Sequence, residues 1–107
     1  MGYGVHIKRH GSSIPQEEWL AVLGRDPEMR HEGKFERTNP QTGEAIRISA
    51  PGLAAWLSHP AGKPVLFDLS RGRVSVANPD EPTLAKMISI ARLLEARVVG
   101  DEGETYD

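Results

Sequence analysis

Cysteine is missing from this chain of 107 residues. Its absence removes disulfide staples, thiol nucleophiles and thiolate metal sites together, so any core must hold by packing. Long apolar runs are missing too. No stretch approaches the ~20 apolar residues that span a bilayer, and Met1 to Arg9 holds no segment of signal-peptide length. A cytoplasmic location without membrane contact is therefore expected. Clustered positive charge is also scarce. No run of Lys and Arg exceeds Lys8-Arg9, which argues against a nucleic-acid partner. G-x-S-x-G, the P-loop pattern and the dinucleotide glycine pattern do not occur, so the commonest signatures of serine hydrolases and nucleotide binders are lacking.

What is present fits one small layered domain spanning residues 1–107. Apolar residues make up 38% and charged residues 26% of the chain, enough for one core and no second one. The net charge of −2 is unevenly placed. Four of the 15 acidic side chains lie between Asp101 and Asp107, and the remainder is nearly balanced by 13 Lys and Arg. Residues 101–107 therefore read as an acidic tail.

Periodicity orders the rest. Tyr3, Val5 and Ile7 alternate with Gly4, His6 and Lys8, the period-2 pattern of a half-buried strand. A short helix follows, with Pro15 at its start, Glu17 and Glu18 at its positive end, and Trp19, Leu20 and Leu23 as its apolar face. Gly24 and then Asp26-Pro27 end it. A weak strand over 33–37 precedes the turn Asn39-Pro40-Gln41-Thr42-Gly43. Ile46, Ile48 and Ala50 then alternate with Arg47 and Ser49. Leu53 to Leu57 is apolar on both faces, which fits a central, covered strand or, alternatively, one helical turn. Val65, Phe67 and Leu69 form another strand, joined through Arg71-Gly72 to Val74–Val76. Asp80 caps a final helix with Pro82 in its first turn and Leu84, Met87, Ile88, Ala91 and Leu94 as its stripe. Arg97-Val98-Val99 is a short last strand. The order predicts an α+β fold of two layers: a mainly antiparallel sheet of about five to six strands, with two helices packed on one face. Lys34, Glu36 and Arg37 would guard an edge strand by charge, so a monomer is expected.

Few residues suggest chemistry. Ser58 and His59 are adjacent on extended chain and point apart, so they make no nucleophile–base pair. His6 and His10 lie roughly 13 Å apart if the segment is a strand, too far to share a metal; no metal or cofactor is expected. Asp68 is different. It sits mid-strand on the face opposite Phe67 and Leu69, where a carboxylate needs water or a partner. Arg47, Ser49, Leu66 and Trp56 are expected on that face, and Asp68, Arg47 and Trp56 together make a candidate binding or catalytic group. In the tail, Asp101, Glu102 and Glu104 are candidates to draw a basic protein partner, because charge asymmetry speeds encounter.

Several segments together resemble a family of small bacterial proteins with no established activity. They are the first strand, Glu17-Glu18-Trp19-Leu20, Asn39-Pro40 with Thr42-Gly43-Glu44, Gly52-Leu53-Ala54, Phe67-Asp68, Asn78-Pro79-Asp80, Lys86-Met87, Ala96-Arg97-Val98 and the acidic ending. The resemblance covers nearly the whole chain, and in size and build it is similar to immunity proteins that neutralise secreted toxins, a likeness of architecture alone. A non-enzymatic binding protein is thus the leading expectation, and a small enzyme or ligand-binding domain using Asp68, Arg47 and Trp56 is the alternative. From packing, Met87→Asp or Ile88→Asp should unfold the chain in a thermal melt, whereas His59→Ala should be nearly silent.

Overall fold

The computed structural model describes residues 3–106. Its first strand, β1 (Gly4–Lys8), is followed by helix α1 (Gln16–Arg25) and a three-residue strand β2 (Met29–His31). Two strands, β3 (Lys34–Thr38) and β4 (Ala45–Ser49), pair only with each other as an antiparallel hairpin. Next come β5 (Leu53–Trp56), β6 (Val65–Ser70) and β7 (Arg73–Ala77), helix α2 (Glu81–Leu93), β8 (Arg97–Gly100) and β9 (Thr105–Tyr106). Seven strands form one sheet in the order β2-β5-β6-β7-β1-β8-β9. Every pairing in it is antiparallel. The fold is thus α+β with both helices on one face of an antiparallel sheet, with more strands than the sequence suggested.

The register explains the single core. Val5 and Ile7 lie opposite Val76 and Val74, and Ile7 also lies opposite Val98. Phe67 pairs with Ala54, and Trp56 with Met29. Alternation turns all these side chains to one face, where they join Trp19 and Leu23 of α1 and Met87, Ile90 and Ala91 of α2 in one buried cluster.

The helices begin and end for local reasons. α1 runs through Gly24 and stops at Asp26, whose extended backbone is what the following Pro27 favours. Asp26-Pro27, and not Gly24, is therefore the terminator. In α2 the Asp80 carboxylate accepts from the Thr83 N–H at 3.1 Å and the Thr83 hydroxyl at 2.6 Å, capping orphan donors at the positive end. The expected stripe is rotated slightly. Thr83, Met87, Ile90, Ala91 and, at the C-cap, Leu94 are the buried positions, while Leu84 and Ile88 are partly buried at its border. Asp at position 88 should consequently cost less than Asp at position 87.

Three other expectations change. β2, a strand not foreseen, forms one edge of the sheet, and β3 belongs to the separate hairpin, so the charged segment 34–37 guards no edge of the large sheet. The side chains of Phe35, Arg37 and Ile48 lie outside the described residues, as does Asp107. The tail is also not free: Thr105–Tyr106 pairs with β8. No helix is long and apolar enough to cross a membrane, among the described residues.

One junction ties both layers. The fully buried Trp19 donates its indole N–H to the Gly52 carbonyl at 2.9 Å, and the Leu69 N–H donates to the same oxygen at 2.9 Å. A Cβ at position 52 would fall 2.1 Å from the Leu69 carbonyl oxygen, so glycine is required for this close approach. Trp19→Phe keeps most of the packing and should cost about 1 kcal/mol for the lost hydrogen bond. Gly52→Ala drives backbone against backbone and should cost about 3 kcal/mol or more. Urea denaturation of both variants checks the ranking.

Candidate functional site

The three residues singled out as a candidate group do not meet. Trp56 pairs with Val65 and Asp68 with Leu53, so alternation puts Trp56 on the helix-covered face and Asp68 on the bare one. Arg47 stands on the detached hairpin, 76% exposed, and pairs with Glu36 of β3 at 2.9 Å. Asp68 is half-buried between Leu53 and Ser75.

The bare face instead assembles a different set. Register places Asp68 beside Ser75, Ser75 beside His6, and His6 beside Val99, in one row across β6, β7, β1 and β8. Within it, His6 Nδ1 is 2.7 Å from Ser75 Oγ and His6 Nε2 is 2.7 Å from Asp101 Oδ1. Asp101 also accepts from the Gly4 N–H at 2.7 Å. These two donors, His6 first, hold its carboxyl below the usual range against the opposing effect of burial.

A serine, an imidazole and a carboxylate in line are the parts of an activated nucleophile. Asp68 lies directly across from Ser75, so the same row carries a second carboxylate. The arrangement ties the first strand to the turn after β8, which is a fixing role.

The other acids of the ending are tied as well. Glu104 accepts from the Tyr3 hydroxyl and, at 3.3 Å, from the Tyr106 hydroxyl. The Tyr3 hydroxyl in turn accepts from the Glu102 N–H at 3.2 Å. Burial, followed by the Glu104 carboxylate, pushes the Tyr3 phenol up to about 12. Of the three expected partner-facing acids, Asp101 and Glu104 are thus engaged within the fold, and Glu102 is exposed.

A second polar network lies where the helical layer meets the β5–β6 loop. Lys86 donates to Asp26 at 2.6 Å and Glu28 at 3.3 Å, and the Trp56 indole N–H donates to Glu28 at 3.0 Å. The Trp56 hydrogen bond and then Lys86 hold the Glu28 carboxyl low. His59 packs edge-on to the Trp56 ring. Its Nε2 lies 2.7 Å from the Asp80 carboxylate, and its Nδ1 accepts from the Ala61 N–H at 2.9 Å. With 11% of its side chain exposed, His59 joins the loop to the cap of α2, so the expected silence of His59→Ala is corrected. Among the described residues, no group of three or more His, Cys, Asp or Glu is placed to hold a metal ion.

No known family model, curated protein or solved structure matches this chain.

The network predicts a specific acid response. The Thr83 hydroxyl, followed by His59, depresses the Asp80 carboxyl to about 2 in the folded chain. A depressed carboxyl contributes stability that is complete above its unfolded value near 4 and is lost as pH falls toward 2. Asp80→Asn should flatten the fall of Tm between pH 4 and pH 2 relative to the unaltered chain, and His59→Ala should lower Tm at neutral pH by several degrees.

Proposed function

We propose that the chain is a non-enzymatic, monomeric interaction protein of the cytoplasm that meets a protein partner through the bare face of its sheet. The observation that carries this reading is an apolar patch at one end of that face. Leu66 on β6 is 46% exposed and Leu57, just after β5, is 44% exposed. Leu66 lies opposite Ala55, and continued alternation brings Leu57 to the same side. Leu53 and Ala55 form the buried floor beneath them. Asp68, Ser75 and His6 border the patch with polar groups, of which Ser75 and His6 are hydrogen-bonded to each other.

An apolar centre with a polar rim is the general anatomy of a protein interface. A basic partner remains the proposal. Asp68 and the exposed Glu102 are its contacts, and Asp101 adds negative field although it is already hydrogen-bonded. Small size and layered build also suit a toxin-neutralising role, by fold-level analogy.

The reading is tested by affinity capture from the native cell with the unaltered chain and with Leu66→Asp as bait, at low and moderate salt. A protein retained by the first and lost from the second supports it. Equal retention by both, or none by either, contradicts it. If the partner is a toxin, co-expression with the chain should restore growth, and Leu66→Asp should not.

A further inference from the structure

At the opposite end of the bare face, beyond His6, the register sets Lys8 of β1 directly across from Arg97 of β8. Two like charges at facing positions repel and weaken the pair unless something lies between them. Both side chains are exposed, and neither forms an ion pair with a described residue. They flank a groove of about 310 Å³ that His10 and Thr105 also line. Gly11 and Gly103, both with positive φ, form backbone walls without side chains. The fourth basic residue there, Arg9, is held by Glu18 and by the Leu94 carbonyl. No carboxylate lines this groove among the described residues, in a chain whose net charge is −2.

We propose that this groove is an oxyanion site that takes the phosphate group of a small molecule, with Lys8 and Arg97 as its charged ligands. An ammonium and a guanidinium on neighbouring strands offer a compact charge and a planar fork to the same tetrahedral anion. His10 and the Thr105 hydroxyl supply further polar contacts around it. The groove is at the low end of the size range of small-molecule sites, which fits a phosphate carried on a small group. The bound anion replaces the repulsion between Lys8 and Arg97 with two attractions. The proposal stands apart from the protein partner above, because it uses other residues and a different end of the face.

The test is a titration with inorganic phosphate and, separately, phenyl phosphate, each against sodium chloride of equal ionic strength. Amide chemical shifts and Tm are the readouts. Saturating shifts at Val99, Gly103 and Thr105, with Tm raised by several degrees over chloride, are expected. Tighter saturation by phenyl phosphate marks the carried group, and equal saturation marks free phosphate as the ligand; either outcome supports the site. Lys8→Gln and Arg97→Gln should each weaken saturation about tenfold or more, while Lys63→Gln, in the loop before β6, should leave it unchanged. Without phosphate, Arg97→Gln should melt no lower than the unaltered chain, since the substitution removes a repulsion. Linear, non-saturating shifts, or a Tm gain that persists in both Lys8→Gln and Arg97→Gln, would overturn the proposal.

Discussion

Each strand of the seven-stranded sheet turns a set of apolar positions toward the helices, and the rest of the structure follows from that alignment. Val5, Ile7, Phe67, Val74 and Val98 are almost completely buried, and burying an aliphatic or aromatic side chain of this kind is worth roughly 1.5–3 kcal/mol. A one-residue slip in any strand would carry its set to the wrong face. The Trp19–Gly52 hydrogen bond pins α1 to that layer, and the capped α2 lies beside it. Because the helices occupy one face, the other keeps His6, Asp68, Ser75 and Leu66 for contact with water or a partner.

The chain ends reinforce this arrangement. β1 lies between β7 and β8, so the first strand is held by the last third of the chain. Asp101 reaches back to Gly4 and His6, and Glu104 to Tyr3. Acids that look like a loose lure in the sequence are therefore largely internal acceptors. What the bare face presents is distributed in space: an apolar patch at Leu57 and Leu66, a polar row at Asp68, Ser75 and His6, and a cationic pair at Lys8 and Arg97.

Much of this was legible in local pattern. Asp80, Pro82 and Met87 mark α2, and the alternation from Tyr3 to Lys8 marks β1, because caps and periodicity act over a few residues. Arg71-Gly72 marks the β6–β7 turn for the same reason: both residues have positive φ. The illegible parts depend on distance. Met29–His31 is too short to alternate visibly and becomes a strand only by lying against β5. Nothing local distinguishes the β3–β4 hairpin, which carries Arg47 away, from strands of the main sheet. Trp56 and Asp68 fall on opposite faces because of the β5–β6 register, which the apolar run of Leu53 to Leu57 leaves undetermined. His6 and Asp101 are 95 positions apart, and only the β1–β8 pairing brings them together. A polar His6 on the alternating strand was the one available signal.

Adjacent residues on β6 give the most direct test of a sheet covered on one side. Phe67 is 0% exposed beneath the helices, while Leu66 is 46% exposed on the other face. The measurement is thermal unfolding of Phe67→Asp and Leu66→Asp under identical conditions. Phe67→Asp should abolish cooperative folding, and Leu66→Asp should stay folded with Tm within a few degrees of the unaltered chain. Equal losses in both, or a greater loss in Leu66→Asp, would contradict the one-sided core.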